Sequence, residues 1–162
     1  MNERDSTLDE IYRNWAAYQT LVVQALTPLD EAQIALRAAP HLRSIGEIAG
    51  HMVGARFHWC YGIMGERGEG WVTLAAEIER DPDPPAAGIV RAFERSAALV
   101  QADLQRWSAA DMQTVFRGND RNGQPYADSR QWIIWHLIEH DLHHGGELSL
   151  TLGMHGLAAP DL

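Results

Sequence analysis

The sequence predicts an all-α fold, a bundle of four long helices. Two observations carry this. Four stretches repeat apolar residues every three or four positions, the period of a helix with one buried face. The signals that open and close helices fall between those stretches, and only the region around Asn119–Gly123 looks extended, too little chain for a sheet.

Ser6 and Thr7, followed by Asp9 and Glu10, form a capping-box signature for the first helix. Its stripe is Leu8, Ile11, Tyr12, Trp15, Tyr18, Val22, Ala25 and Leu26, and it ends near Thr27-Pro28. Residues 29–36 suit a short helical turn, and Ala39-Pro40-His41 a break. Ser44 with Glu47 is a second capping box. The helix it opens has Ile45, Ile48, Met52, Ala55, Trp59 and Ile63 as its stripe and ends in the glycines of 65–68. Residues 70–79 suit a short helix or an ordered loop. Asp81-Pro82-Asp83-Pro84-Pro85 punctuates the chain and starts the third long helix, which runs to about Trp107 with Ile89, Phe93, Ala97, Val100 and Leu104 inward. One more turn fits 108–112, and Asn122-Gly123 between 114–117 and 125–126 suggests a hairpin or long loop. Asp128 or Ser129 caps the last helix, which ends at Gly153, and the final nine residues are loose or pack on a neighbour.

The chain has 162 residues, 46% of them hydrophobic and 22% charged, which suits one domain over 1–162 with a substantial core. Its formal net charge of −9 argues against nucleic acid and anionic membrane as partners, since both favour a basic surface. A single cysteine, Cys60, excludes an intrachain disulfide and reads as a buried, inert thiol. With neither a bilayer-length apolar run nor a signal-peptide pattern, the expected location is the cytoplasm. Most of the six tryptophans read as core, with Trp132 or Trp135 a wall for the site described next.

The chemistry concentrates in the last helix. Four of the eight histidines lie in Trp135-His136-Leu137-Ile138-Glu139-His140-Asp141-Leu142-His143-His144-Gly145-Gly146-Glu147-Leu148. At about 100° per residue, His136, His140, His143, His144 and Glu147 share one face about 100° wide. That is the width of an apolar stripe, and a metal ion explains imidazoles in such a place. His140 with His144, or His136 with His140, has the i, i+4 spacing that lets two imidazoles reach one ion; spacing does not choose between the pairs. A third ligand must come from another helix, and His51, mid-helix among apolar residues, is the best candidate. Glu147 is a candidate for orienting a histidine ring, for ligation or for general base catalysis. His58, seven residues from His51, and His136 are candidate proton carriers beside the ion. Glu139 and Asp141 flank His140 at roughly ±100° and read as surface charges. Gly145-Gly146 inside a helix points to close packing or to backbone access for a ligand.

On these residues the sequence resembles the DinB/YfiT-like superfamily of metal-dependent bundles. The signature is a histidine in the second helix, here within Glu47-Ile48-Ala49-Gly50-His51-Met52, and much later the His-rich last helix closing on Leu152-Gly153. The resemblance implies a four-helix bundle of up-down-down-up topology with a long crossover. It implies a divalent ion (Zn, Ni or Fe) on His51, His140 and His144, which selects the second of the two i, i+4 pairs. At Gly145 the sequence departs from relatives, which often carry a basic residue there. Some relatives are S-transferases or isomerases that use a low-molecular-weight thiol such as bacillithiol or mycothiol, and many pair as homodimers.

The expectation is therefore a metalloenzyme that activates a thiol or a water for attack on an electrophile, with Glu147, His136 or His58 handling protons. The alternatives are a metal-stapled bundle that binds a small molecule or a partner in a stress response, and a metal-free helical adaptor.

Overall fold

A computed structural model of the chain describes residues 8–120 and 122–161. It is mostly helical: α1 (Asp9–Leu26), α2 (Glu31–Ile34), α3 (Ile45–Arg56) continued by a π-helical segment (Phe57–Ile63), α4 (Glu69–Arg80), α5 (Ala86–Arg106) and α6 (Arg130–Met154). A 3-10 turn (Asp111–Gln113) and an antiparallel hairpin of β1 (Val115–Asn119) and β2 (Pro125–Ser129) precede α6. None of these helices is long and apolar enough to cross a membrane.

The caps explain several boundaries. Ser44 Oγ accepts from the Glu47 backbone N–H at 3.1 Å, and Glu47 Oε2 accepts from the Ser44 N–H at 2.8 Å, so α3 opens on the expected capping box. Ser129, rather than Asp128, caps α6 by accepting from the Trp132 N–H. In the hairpin turn, Asp120 Oδ1 accepts from the backbone N–H groups of Asn122 and Gln124, and Gly123 takes a φ of 77°. The Ser6/Thr7 cap falls outside the described residues.

Some boundaries differ from the sequence reading. Asp30 and Gln33 make a reciprocal capping box for α2 that the reading passed over. No aspartate caps α5: Pro85 stands at its N-cap, and the Ala86 N–H donates to Glu31 Oε1 of α2 at 2.9 Å. The last helix runs past Gly153 to Met154, and the left-handed residue that stops it is Gly156, with φ 68°. Leu157 then turns back onto the chain's own core.

Two apolar clusters fill the interior. One joins α1, α3 and α6 through Val22, Leu26, Ile45, Met52 and Leu152 with Phe93 of α5. The other joins the π-helical segment, α4 and α6 through Cys60, Trp71, Leu74, Ile133 and Leu137. Cys60 is fully buried, and burial pushes its thiol far up, the inert state expected of it. Ile11 is an exception to the predicted stripe of α1, at 46% exposed.

The π-helical segment is the main departure in α3. Its i→i+5 bonding puts more than four residues in a turn, so each residue advances by less than the 100° of an α-helix. Positions beyond Arg56 are thereby rotated against the predicted stripe, and Trp59 and Ile63 are only partly buried. α3 packs against both α5 and α6, which sets His51 opposite the His-rich face of α6.

Candidate metal centre

Three histidines meet on the α3–α6 seam. His51 comes from the middle of α3, and His140 and His144 from successive turns of α6. His51 Nε2 lies 3.1 Å from His140 Nε2. The ring centroids are 4.8 Å apart for His51–His140, 4.6 Å for His51–His144 and 4.3 Å for His140–His144. One ring nitrogen from each lies within 4.8 Å of the others. Two ligands on a tetrahedral ion with bonds of about 2.0–2.1 Å stand roughly 3.3 Å apart, so this spacing suits one small divalent ion.

The electrostatics agree with the geometry. Burial first, and then the nearness of His144 and His51, pushes the pKa of His140 down from 6.5 to about 4. His140 thus stays neutral with its lone pair available near pH 7. Its Nδ1 is buried and has no hydrogen-bond partner among the described residues. Three imidazoles crowded together fit a divalent cation better than they fit one another.

The low pKa carries a stability consequence for the metal-free protein. An unfolded chain binds a proton at this histidine near pH 6.5 that the folded chain refuses until about pH 4. Unfolding therefore takes up protons in that window, and the site's stability contribution, complete above 6.5, is lost as pH falls. Urea midpoints of chelator-treated protein are expected to fall between pH 7 and pH 4.5, with a shallower fall in His140→Leu.

Glu147 holds the outer side of the cluster. Its Oε2 lies 2.7 Å from His144 Nδ1, and Oε1 lies 3.5 Å from His143 Nε2. The His144 hydrogen bond holds the Glu147 carboxyl below the usual range. A carboxylate that accepts from Nδ1–H leaves Nε2 of His144 as a lone pair facing the cluster. His143 itself is exposed.

The other candidates stand apart from the three rings. His136, one turn before His140, stacks on Trp132 with centroids 5.1 Å apart and planes 6° from parallel. His58 is exposed and lies against Trp59. Trp132 is thus the tryptophan near the cluster, while Trp135 is 57% exposed.

Asp141 corrects the sequence reading. It is no surface charge: it is 1% exposed and pairs with Arg56, itself fully buried, at 2.8 Å. Asp141 Oδ2 also accepts from Trp15 Nε1 at 2.8 Å and from Gln19 Nε2 at 3.1 Å. Arg56 donates to Ser96 Oγ at 3.0 Å and lies over the Phe93 ring at 4.2 Å. One hub therefore ties α1, α3, α5 and α6 together beside His140. A signal for it was present: Ile134, Leu137, Ile138, Leu148 and Leu152 form the apolar stripe of α6, and Asp141 sits in the middle of it.

Gly145 lies on the same core-facing side. A Cβ there would stand 1.6 Å from the Tyr18 hydroxyl, so the Tyr18 ring can lie where it does against α6 only over glycine. A basic side chain at this position would need the space that Tyr18 occupies. Gly146 meets no such neighbour.

A model of the DinB superfamily matches residues 11–148. The chain belongs to the DinB superfamily. Two solved structures share the DinB-like fold. A DinB-like protein from Bacillus cereus is 22% identical, with 93% of each chain covered and a TM-score of 0.70. A conserved protein from Enterococcus faecalis is 14% identical, over 91% of this chain and 98% of that one, with a TM-score of 0.69. No curated protein matches the chain.

Proposed function

We propose that this DinB-superfamily protein binds one divalent ion (Zn, Ni or Fe) on His51, His140 and His144, and uses it to activate a water or a low-molecular-weight thiol against an electrophile. The observation that carries the reading is the convergence of three imidazoles from two helices, with His51 and His140 3.1 Å apart. Three protein ligands leave a position for a small molecule, as catalytic centres do. A bound divalent ion would supply Lewis acidity, lowering the pKa of a water or thiol placed beside it.

The chain's own residues divide the remaining work. Glu147 orients His144 through Nδ1; a carboxyl held below its usual range is poorly matched to accept a proton near neutral pH. His136, one turn from His140, is better placed to carry a proton than His58, which is exposed and lies against Trp59. Glu147→Gln keeps the shape and loses the charge. It is expected to weaken metal binding by about 10–100-fold, read by competition with a chromogenic chelator.

In the same reading the four long helices α1, α3, α5 and α6 form an up-down-down-up bundle, one domain over 1–162. The protein works in the cytoplasm as a homodimer that pairs through the outer face of α6, where Trp135, Leu142, Leu150 and Met154 are 57%, 49%, 62% and 59% exposed.

Elemental analysis of protein purified without chelator should find one divalent ion per chain. A screen of small electrophiles with several low-molecular-weight thiols should then find a turnover that chelation abolishes. Absence of metal, together with stability unchanged on adding Zn, Ni or Fe, overturns the reading. A metal that only staples the bundle is the second reading, favoured by the ligands' origin on two different helices.

A further inference from the structure

The seam that holds the three histidines continues as a row of aromatic rings. His136 follows His140 with centroids 6.0 Å apart, and Trp132 stacks on His136. Trp59, from the π-helical segment, meets Trp132 edge-on at 5.7 Å and His136 at 5.4 Å. Trp132 is backed on one side by His136 and is still 42% exposed. The stretch that carries Trp59 is a π-helical insertion at the end of α3. Such insertions are frequent at functional sites.

We propose that Trp59, Trp132 and His136 form a platform for the planar aromatic part of a small molecule whose polar end sits at the His51–His140–His144 cluster. The proposal deepens the metal-centre reading and rests on it for the polar end. Two features favour a flat occupant that reaches the cluster. The platform is a stacked pair buttressed by a third ring, which presents a broad face rather than a cup. It is continuous with the cluster, and His136 and Trp132 lie one and two turns along α6 from His140, about 5–11 Å away along the helix axis. Stacking on such a face adds about 0.5–1.5 kcal/mol beyond area burial, equivalent to roughly two- to twelvefold in affinity.

The test uses zinc-loaded protein and three hydroxamates: acetohydroxamate, 2-naphthohydroxamate and its saturated counterpart decahydro-2-naphthohydroxamate. Calorimetry should find the naphthyl compound bound about three- to tenfold more tightly than the saturated one. Trp132→Ala should erase that preference and leave acetohydroxamate binding unchanged, and Trp132→Phe should restore part of it. Equal binding of the two bicyclic compounds, or a preference that survives Trp132→Ala, overturns the proposal. So does a Trp132→Ala protein that loses its dimer while keeping the preference, since the rings would then be a subunit contact. If zinc or acetohydroxamate fails to bind, the metal reading fails separately. Saturation-transfer NMR of 2-naphthalenemethanol on chelator-treated protein then decides: a signal lost in Trp132→Ala supports the platform, and no signal overturns it.

Discussion

Asp141→Ala is expected to destabilise the protein by about 3–5 kcal/mol, the cost of leaving a buried charge without its partner. Arg56 is fully buried and has no other carboxylate among its hydrogen-bond partners, which are Ser96 Oγ and the Phe93 carbonyl. The same change strips the acceptor from Trp15 Nε1 and Gln19 Nε2. The measurement is the urea or thermal midpoint of the variant, with a drop on the order of ten degrees at this chain length. Asp141→Asn keeps the shape and should be intermediate, since an amide still accepts hydrogen bonds. A combined Arg56→Met, Asp141→Leu variant should recover much of the loss, because a buried pair is worth little against well-packed apolar residues. If Asp141→Ala shifted the midpoint by less than a degree or two, the hub would not hold the fold together.

His51→Ala should have the largest effect on the metal centre. Losing a residue that only orients a ligand costs about 10–100-fold in metal affinity, so losing a ligand should exceed about 100-fold. His51 is partly exposed and stands outside both apolar clusters. The metal-free variant should therefore keep its far-UV circular dichroism and its urea midpoint close to wild type. Loss of metal and of turnover with the helices intact supports the enzyme reading. A bundle that melts once the ion cannot bind supports the staple. Wild-type metal affinity in His51→Ala would remove His51 from the ligand set.

Much of this was legible from local chemistry. Ser44 with Glu47, and Ser129 before α6, mark helix starts because a short hydroxyl satisfies an orphan N–H, and that requirement does not depend on the rest of the fold. The meeting of His51, His140 and His144 was legible for a different reason. The i, i+4 pair is local, and the resemblance supplied the one long-range partner. The π-helical segment was not legible, since a stripe drawn at 100° per residue assumes the winding that it breaks. Asp141 was misread because charge type was weighed above position: the stripe through Ile134, Ile138 and Leu148 runs across it. Its partner Arg56 is 85 residues away, and no local pattern announces such a pairing. The close approach of Tyr18 to Gly145 is likewise a property of two helices in contact.

Asp141 and Gly145 together have one more consequence. They lie a turn apart on the inward side of α6, one clamped by the hub and the other pressed against Tyr18. A helix fixed at two successive turns cannot roll about its own axis. The edge of that inward side is then indexed like a key on a shaft, and that edge carries His140 and His144. Their aim toward α3 is set before any ion arrives, so the entropy of assembling the centre is spent in folding rather than in binding.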